Sequence, residues 1–172
     1  MNRRGLLAGA VAAVAAIPVV RLFAGGGDEQ GKAPKLPPST VEKVEKTEQE
    51  WREILTEQEF RVLREAATER PGSSKLNQEK RDGTYVCAGC ELPLFKSEWK
   101  FESGTGWPSF WDHIKGHMQT STDYKLVLPR TEYHCARCGG HQGHVFEDGP
   151  APTGERWCNN GVALDFIPAE PA

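Results

Sequence analysis

Five cysteines divide by spacing into two pairs and a single residue, and the two arrangements suit different chemistry. Cys87 with Cys90 and Cys135 with Cys138 are Cys-x-x-Cys turns, a spacing that points two thiolates into one tetrahedral site. Two such turns supply four ligands at Zn–S distances of about 2.3 Å. Each turn sits in a Tyr-x-Cys-Ala-x-Cys unit, beginning at Tyr85 and at Tyr133, so two similar turns converge on one feature. Redox dithiols and disulfides are the competing readings. Duplication favours a single structural zinc ion, whose four sulfurs leave no open position for water. The long interval between the pairs must then be folded structure that returns, with the metal stapling distant hairpins.

Cys158 is left over, within Arg156-Trp-Cys-Asn-Asn160. On a strand the period of two places Arg156, Cys158 and Asn160 on one face. A guanidinium beside a thiol stabilises the thiolate, so a lowered pKa and a nucleophilic sulfur are expected. A buried free cysteine acting as a small hydrophobe is the bland alternative, and the polar neighbours weaken it. Upstream, His141 and His144 lie in Gly139-Gly-His-Gln-Gly-His-Val-Phe146. Histidine is the usual proton donor or acceptor near neutral pH, so this pair suits acid catalysis at the thiolate. A His-x-x-His metal site is the rival, without the Glu and helical spacing of His-Glu-x-x-His. In Ser103-Gly-Thr-Gly-Trp-Pro-Ser-Phe-Trp111 glycines precede a Pro-fixed turn with aromatic residues. An aromatic wall is what a small apolar group such as a methyl needs, but taken alone the cluster reads as an ordinary hydrophobic turn. His113, His117 and His134 give no comparable signal.

The elements that position these groups come in two textures. Thr47-Glu-Gln-Glu50 and Thr56-Glu-Gln-Glu59 are capping-box patterns that open two short helices. Trp51, Ile54 and Leu55 share a face of the first; Phe60, Leu63 and Ala67 line the second, which Arg70-Pro-Gly-Ser-Ser stops. Both are scaffold. After Gly83 the chain becomes short alternating runs broken by Gly and Pro, which predicts strands, with Tyr124, Leu126 and Leu128 on one face and Val162, Leu164 and Phe166 on another.

The chain has 172 residues, 38% hydrophobic and 26% charged, enough for one packed domain with an appendage. Net charge is −3, but residues 1–46 carry +3, which leaves −6 on the remainder. An acidic domain repels phosphate backbones, and no nucleic-acid partner is expected. Arg3 and Arg4 precede an uncharged run from Gly5 to Val20, the layout of a secretory leader with a twin-arginine signal. The run is shorter than the roughly 20 residues of a comfortable membrane span. The organisation expected is a leader or uncleaved anchor over 1–24, a flexible linker over 25–46, a catalytic domain over 47–168 and a tail over 169–172. Membrane contact is expected only through an uncleaved leader, and placement is exported and periplasmic, free or tethered to the inner membrane.

Taken in order, the two Cys-x-x-Cys turns, Ser-Gly-x-Gly-Trp-Pro-Ser-Phe, Gly-Gly-His-x-Gly-His-Val-Phe and Arg-aromatic-Cys-x-Asn-Gly-x-Ala-Leu resemble the B-class peptide methionine sulfoxide reductases, from about Thr47 to Pro168. The resemblance implies reduction of the R epimer of methionine sulfoxide, free or in oxidised proteins. It also implies a mainly β (α+β) fold of two antiparallel sheets with short N-terminal helices, stapled by a four-cysteine zinc site. On that reading Cys158 attacks the sulfoxide sulfur, His144 and His141 protonate the oxygen, Arg156 and Asn160 orient groups around the thiol, and Trp107 and Phe110 hold the methyl. Many members carry a resolving cysteine where this chain has Thr105, so the Cys158 sulfenic acid is expected to be reduced directly by an external, thioredoxin-like dithiol. A noncatalytic zinc-stapled binding module and a general disulfide oxidoreductase are the other function classes. Stoichiometric zinc argues against the second.

Overall fold

A computed structural model describes residues 36, 39–126 and 128–170; the expected leader and most of the expected linker lie outside them. Both capping boxes form. In α1 (Glu48–Ile54) and α2 (Glu57–Glu65) the threonine hydroxyl accepts the third helical N–H while the glutamate carboxylate accepts the threonine N–H at 2.7 Å. Such caps contribute about 1 kcal/mol each, which matters for helices of only two turns. Trp51, Leu55, Phe60 and Leu63 are buried against the sheets, whereas Ile54 is exposed. The second helix stops earlier than expected: Ala66 adopts the left-handed conformation (φ 50°), and Ala67 packs on the core from beyond the helix end. The chain ahead of α1 is also less free than its composition implies. Leu36, Val41 and Val44 pack against the core, and the Val44 N–H donates to the Arg137 carbonyl at 2.9 Å.

Among the described residues nine strands build two antiparallel sheets. β1 (Gly83–Cys87) lies between β2 (Pro93–Lys96) and β9 (Leu164–Pro168). The larger sheet runs, edge to edge, from β3 (Lys100–Phe101) through β4 (Ser109–Phe110), β8 (Arg156–Asn159), β7 (His141–Phe146) and β6 (Arg130–Cys135) to β5 (Met118–Asp123). Aromatic rings join the two. Phe95 stacks on Phe110 at 4.0 Å between centroids, Tyr85 meets Phe110 edge-on at 4.9 Å, and Tyr133 meets Trp157 at 4.9 Å. All five are fully buried, and each contributes roughly 1.5–3 kcal/mol by leaving water.

Two expected strand faces differ from what forms. β5 ends at Asp123, whose carboxylate accepts the Lys125 N–H at 2.8 Å and turns the chain, so Tyr124, Leu126 and Leu128 are exposed. Val162 belongs to the 3-10 turn Gly161–Ala163, and only Leu164 and Phe166 belong to β9. In both places side-chain hydrogen bonds to backbone override the hydrophobic alternation.

Candidate active site

The two Cys-x-x-Cys units fold into the same turn at the ends of β1 and β6. The N–H of the residue after each unit returns to the first cysteine's carbonyl, Glu91 to Cys87 at 2.7 Å and Gly139 to Cys135 at 2.9 Å, and both residues have positive φ. The turns bring four sulfurs together: Cys87 lies 3.6 Å from Cys138, Cys90 lies 3.5 Å from Cys135, and all four fall within 4.8 Å. A tetrahedron of Zn–S bonds of about 2.3 Å has sulfur–sulfur edges of about 3.8 Å, so the cage fits the ion. The cysteines are free rather than disulfide-bonded. N–H groups also point at the sulfurs, from Gln142 Nε2 to Cys87 at 3.3 Å and from Gly140 to Cys138 at 3.4 Å, as the outer partners of thiolate ligands do. The four cysteines form a structural zinc site.

Cys158 stands apart, on β8, opposite Ser109 of β4 on one side and His144 of β7 on the other. That close pairing requires Gly143, because a Cβ there would lie 1.9 Å from the Cys158 carbonyl oxygen. Cys158 opens into a pocket of roughly 100 Å³ lined by Trp107, His144, Phe146, Arg130, Thr68 and Asn160. Trp107 is held by donating its indole N–H to the Glu69 carbonyl at 3.2 Å. A larger hollow of roughly 630 Å³ beside α2 shares Thr68 with this pocket but is lined by neither cysteine nor histidine.

Five groups behave differently from the sequence expectation. Burial pushes the Cys158 thiol up, and this outweighs the opposing effects of the Arg156 charge and of hydrogen bonding from Thr105 and Arg156. Arg156 is less available than its spacing implies: it forms a two-pronged ion pair with Asp148, at 2.7 and 2.9 Å, and its guanidinium lies over the Phe146 ring. Asn160 is beyond the end of β8. Its side chain points inward, accepting the Glu69 N–H at 3.0 Å, donating to the Gln142 carbonyl at 3.0 Å and lying 3.5 Å from His141 Nε2. Phe110 is in the intersheet core, and the second aromatic of the pocket is Phe146. His141 is buried outside the pocket wall, its Nδ1 2.5 Å from Glu132.

His144 is the pocket histidine. Its Nε2 lies 2.8 Å from Asp123 Oδ2, and Arg130 donates to the same carboxylate at 2.6 Å. Burial alone would raise Asp123, but the Lys125 N–H, His144 and Arg130 hold it at about 2. Burial lowers His144, more than the Asp123 hydrogen bond raises it. At neutral pH the ring is therefore neutral; its proton sits on Nε2, facing an acceptor-only carboxylate, and Nδ1 keeps a lone pair. A bulge explains why His141 and His144, three residues apart, share a face. The pairing of β6 with β7 shifts between Tyr133 and His134, so that His134 faces His141 while Glu132 faces His144.

A family model described as the SelR domain matches residues 55–168. The chain belongs to the SelR family. It is 52% identical over 124 residues to "Peptide methionine sulfoxide reductase MsrB" of Methanosarcina barkeri, covering 72% of this chain and 87% of that one. It is 51% identical over 131 residues to the protein of the same name from Pseudomonas fluorescens, covering 76% of this chain and all of that one. With the chloroplastic "Peptide methionine sulfoxide reductase B2" of Arabidopsis thaliana it shares 46% identity over 147 residues, 84% of this chain and 72% of that one.

Within this SelR domain, sequence reasoning passes over four acidic residues that organise the site. Asp148 pairs with Arg156, and Asp123 holds His144. Glu132 accepts from His134 and His141, which hold its carboxyl well below the usual carboxylate range. Glu69 caps the turn after Asn160 by accepting the Gly161 and Val162 N–H groups at 2.6 and 3.0 Å, while burial raises its pKa. Only Asp148 carries a local signal, as an acidic residue near the histidine motif. The others reach the site through strand pairing or from the far end of the α2 segment.

Proposed function

We propose that the protein reduces the R epimer of methionine sulfoxide to methionine, with Cys158 as the nucleophile. The observation that carries this reading is the pairing of Cys158 with His144 across β8 and β7, in a pocket whose apolar walls are Trp107 and Phe146. Those walls suit the methyl group, and the polar side carries the proton donors.

The raised thiol and the neutral histidine fit together. His144 Nδ1 takes the Cys158 proton, and Asp123 stabilises the imidazolium so formed. The thiolate then bonds to the sulfoxide sulfur while His144 returns the proton to the oxygen. Transfer of that oxygen to Cys158 releases methionine and leaves a sulfenic acid, the sulfur of the enzyme oxidised by two electrons and that of the substrate reduced by two. Arg156, held by Asp148, supplies positive charge beside the developing thiolate. Asn160 orients the end of β8, and His141 acts through Asn160 and Glu132.

Thr105 acts on the Cys158 sulfur by hydrogen bonding and cannot form a disulfide with it. An external dithiol of thioredoxin type therefore attacks the sulfenic sulfur, water leaves, and the reductant becomes a disulfide. The Arg3-Arg4 leader supports a role in repairing oxidised exported proteins, from the periplasm or its inner-membrane face. Cell fractionation of the native chain and an Arg3→Lys, Arg4→Lys variant tests that placement.

The deciding experiment is turnover of the separate R and S sulfoxides of a blocked methionine with dithiothreitol, beside Cys158→Ser. R-selective reduction that vanishes in the variant is expected. No turnover by a zinc-loaded protein would return the binding-module reading, and activity in Cys158→Ser would move the nucleophile elsewhere. A disulfide to Cys158 after one turnover without reductant would overturn the external-dithiol step.

A further inference from the structure

Glu132, His134 and His141 present three donor atoms within 4.8 Å of one another, a group distinct from the four cysteines. Their convergence follows from the strands. Glu132 and His134 are two apart on β6 and so share a face, and the bulge sets His141 of β7 directly opposite His134. Glu132 Oε1 lies 3.1 Å from His134 Nε2 and 2.5 Å from His141 Nδ1.

We propose that these three residues form a second divalent-cation site, for a metal of the zinc, cobalt or nickel class. Two imidazoles and a carboxylate are a donor set that holds such ions with positions left open to water. Donors at about 2.1 Å from one ion stand about 3.0–3.4 Å apart, so the cluster accepts a metal once the Glu132–His141 contact opens by about half an ångström. His134 gives the ion an entrance, its side chain being 26% exposed, while Glu132 and His141 lie behind it at 14% and 4%. In the metal-free form each ring directs an N–H at Glu132. On binding, each ring moves that proton to its other nitrogen, and the carboxylate supplies the negative charge that the ion needs. None of the three residues lines the Cys158 pocket, but His141 touches Asn160 and Glu132 pairs with His144, so an ion here sits behind the pocket wall rather than in it.

The test uses the full chain loaded with one equivalent of zinc and titrated with Co²⁺, followed by absorption spectroscopy and by metal analysis after buffer exchange. One further equivalent is expected, with ligand-field bands and without thiolate-to-cobalt charge transfer. Glu132→Gln and His134→Ala should each keep the first zinc and the far-ultraviolet spectrum of the parent. Both should bind the second ion more weakly by more than the about 10- to 100-fold that loss of an outer partner costs. No second equivalent would overturn the proposal. So would a second equivalent that both variants keep undiminished, or charge-transfer bands showing that cobalt had only exchanged into the sulfur cage.

Discussion

The zinc corner and the Cys158 face use the same element for opposite ends, and they are assembled differently. Each half of the zinc corner is a local turn of five residues, repeated in sequence, and its sulfurs act together. The Cys158 face has almost no local component: its thiol is set by β8, its pocket histidine by β7, that histidine's carboxylate by β5, and its aromatic walls by Trp107 and Phe146. Metal ligation needs donors at a spacing that a turn can supply alone. Nucleophilic chemistry needs groups of different type at set separations, which only lateral strand register supplies. One residue joins the regions. Gln142, the bulged residue of β7, donates to Cys87 in the cage, accepts from Asn159 at 3.4 Å, and offers its carbonyl to Asn160.

If the zinc corner is structural and the Cys158 face chemical, Cys135→Ser should lose zinc and cooperative folding together. Binding free energies of about 10–16 kcal/mol for structural zinc exceed the roughly 5–15 kcal/mol by which domains are stable. Metal analysis and thermal melting check this, and a zinc-free variant that still melts cooperatively would break the comparison. A second break comes from acid. His113 is buried against Trp157, neither ring nitrogen makes a hydrogen bond, and burial, opposed by the Asp112 carboxylate 3.8 Å from Nδ1, lowers its pKa to about 4. The folded protein keeps His113 neutral while the unfolded chain protonates it near pH 6.5, so its stability contribution is intact above that pH. It is lost progressively from about 6.5 down to about 4, by up to ~3 kcal/mol. Urea melts across that range should be flatter for His113→Leu than for the parent.

Smaller effects sharpen the contrast. Arg156→Met removes the charge that opposes burial at Cys158, so the pH profile of Cys158 alkylation should move upward. Turnover should fall about tenfold or more, as for loss of roughly 1.4 kcal/mol of transition-state stabilisation, with zinc content unchanged. An alkylation profile that does not move would mean that Asp148 fully neutralises the guanidinium. Gln142→Leu should have the mildest effect, a several-fold loss of turnover, about 1 kcal/mol, with zinc retained, because the hydrogen bonds to Asn159 and Cys87 go while the backbone bonds to Asn160 stay. Loss of zinc in this variant would make Gln142 part of the metal site rather than a link from it.

Legibility in the sequence follows the range of each interaction. The helix caps at Thr47 and Thr56, the paired cysteine turns and the isolation of Cys158 are readable because each depends on residues within about five positions. The direction of the Cys158 pKa is not, because spacing shows a neighbouring charge but neither burial nor the Asp148 carboxylate that occupies Arg156. Phe110 reads as a pocket residue because its motif neighbour Trp107 lies there, yet β4 turns it into the intersheet core. His141 and His144 read as equivalent because nothing along the chain reveals a bulge.

What the sequence determined by itself is the chemistry available: four sulfurs in matching turns for one ion, a fifth set apart, histidines and an aromatic wall, and strands to hold them. What the tertiary structure alone decided is which of these meet. It chose His144 over His141, Phe146 over Phe110, and Asp123, Glu132 and Asp148 as partners that no motif named. The reason is geometric. Side-chain direction along a strand follows a period of two that sequence carries, whereas register across strands depends on turns, bulges and burial contributed by residues far away in the chain.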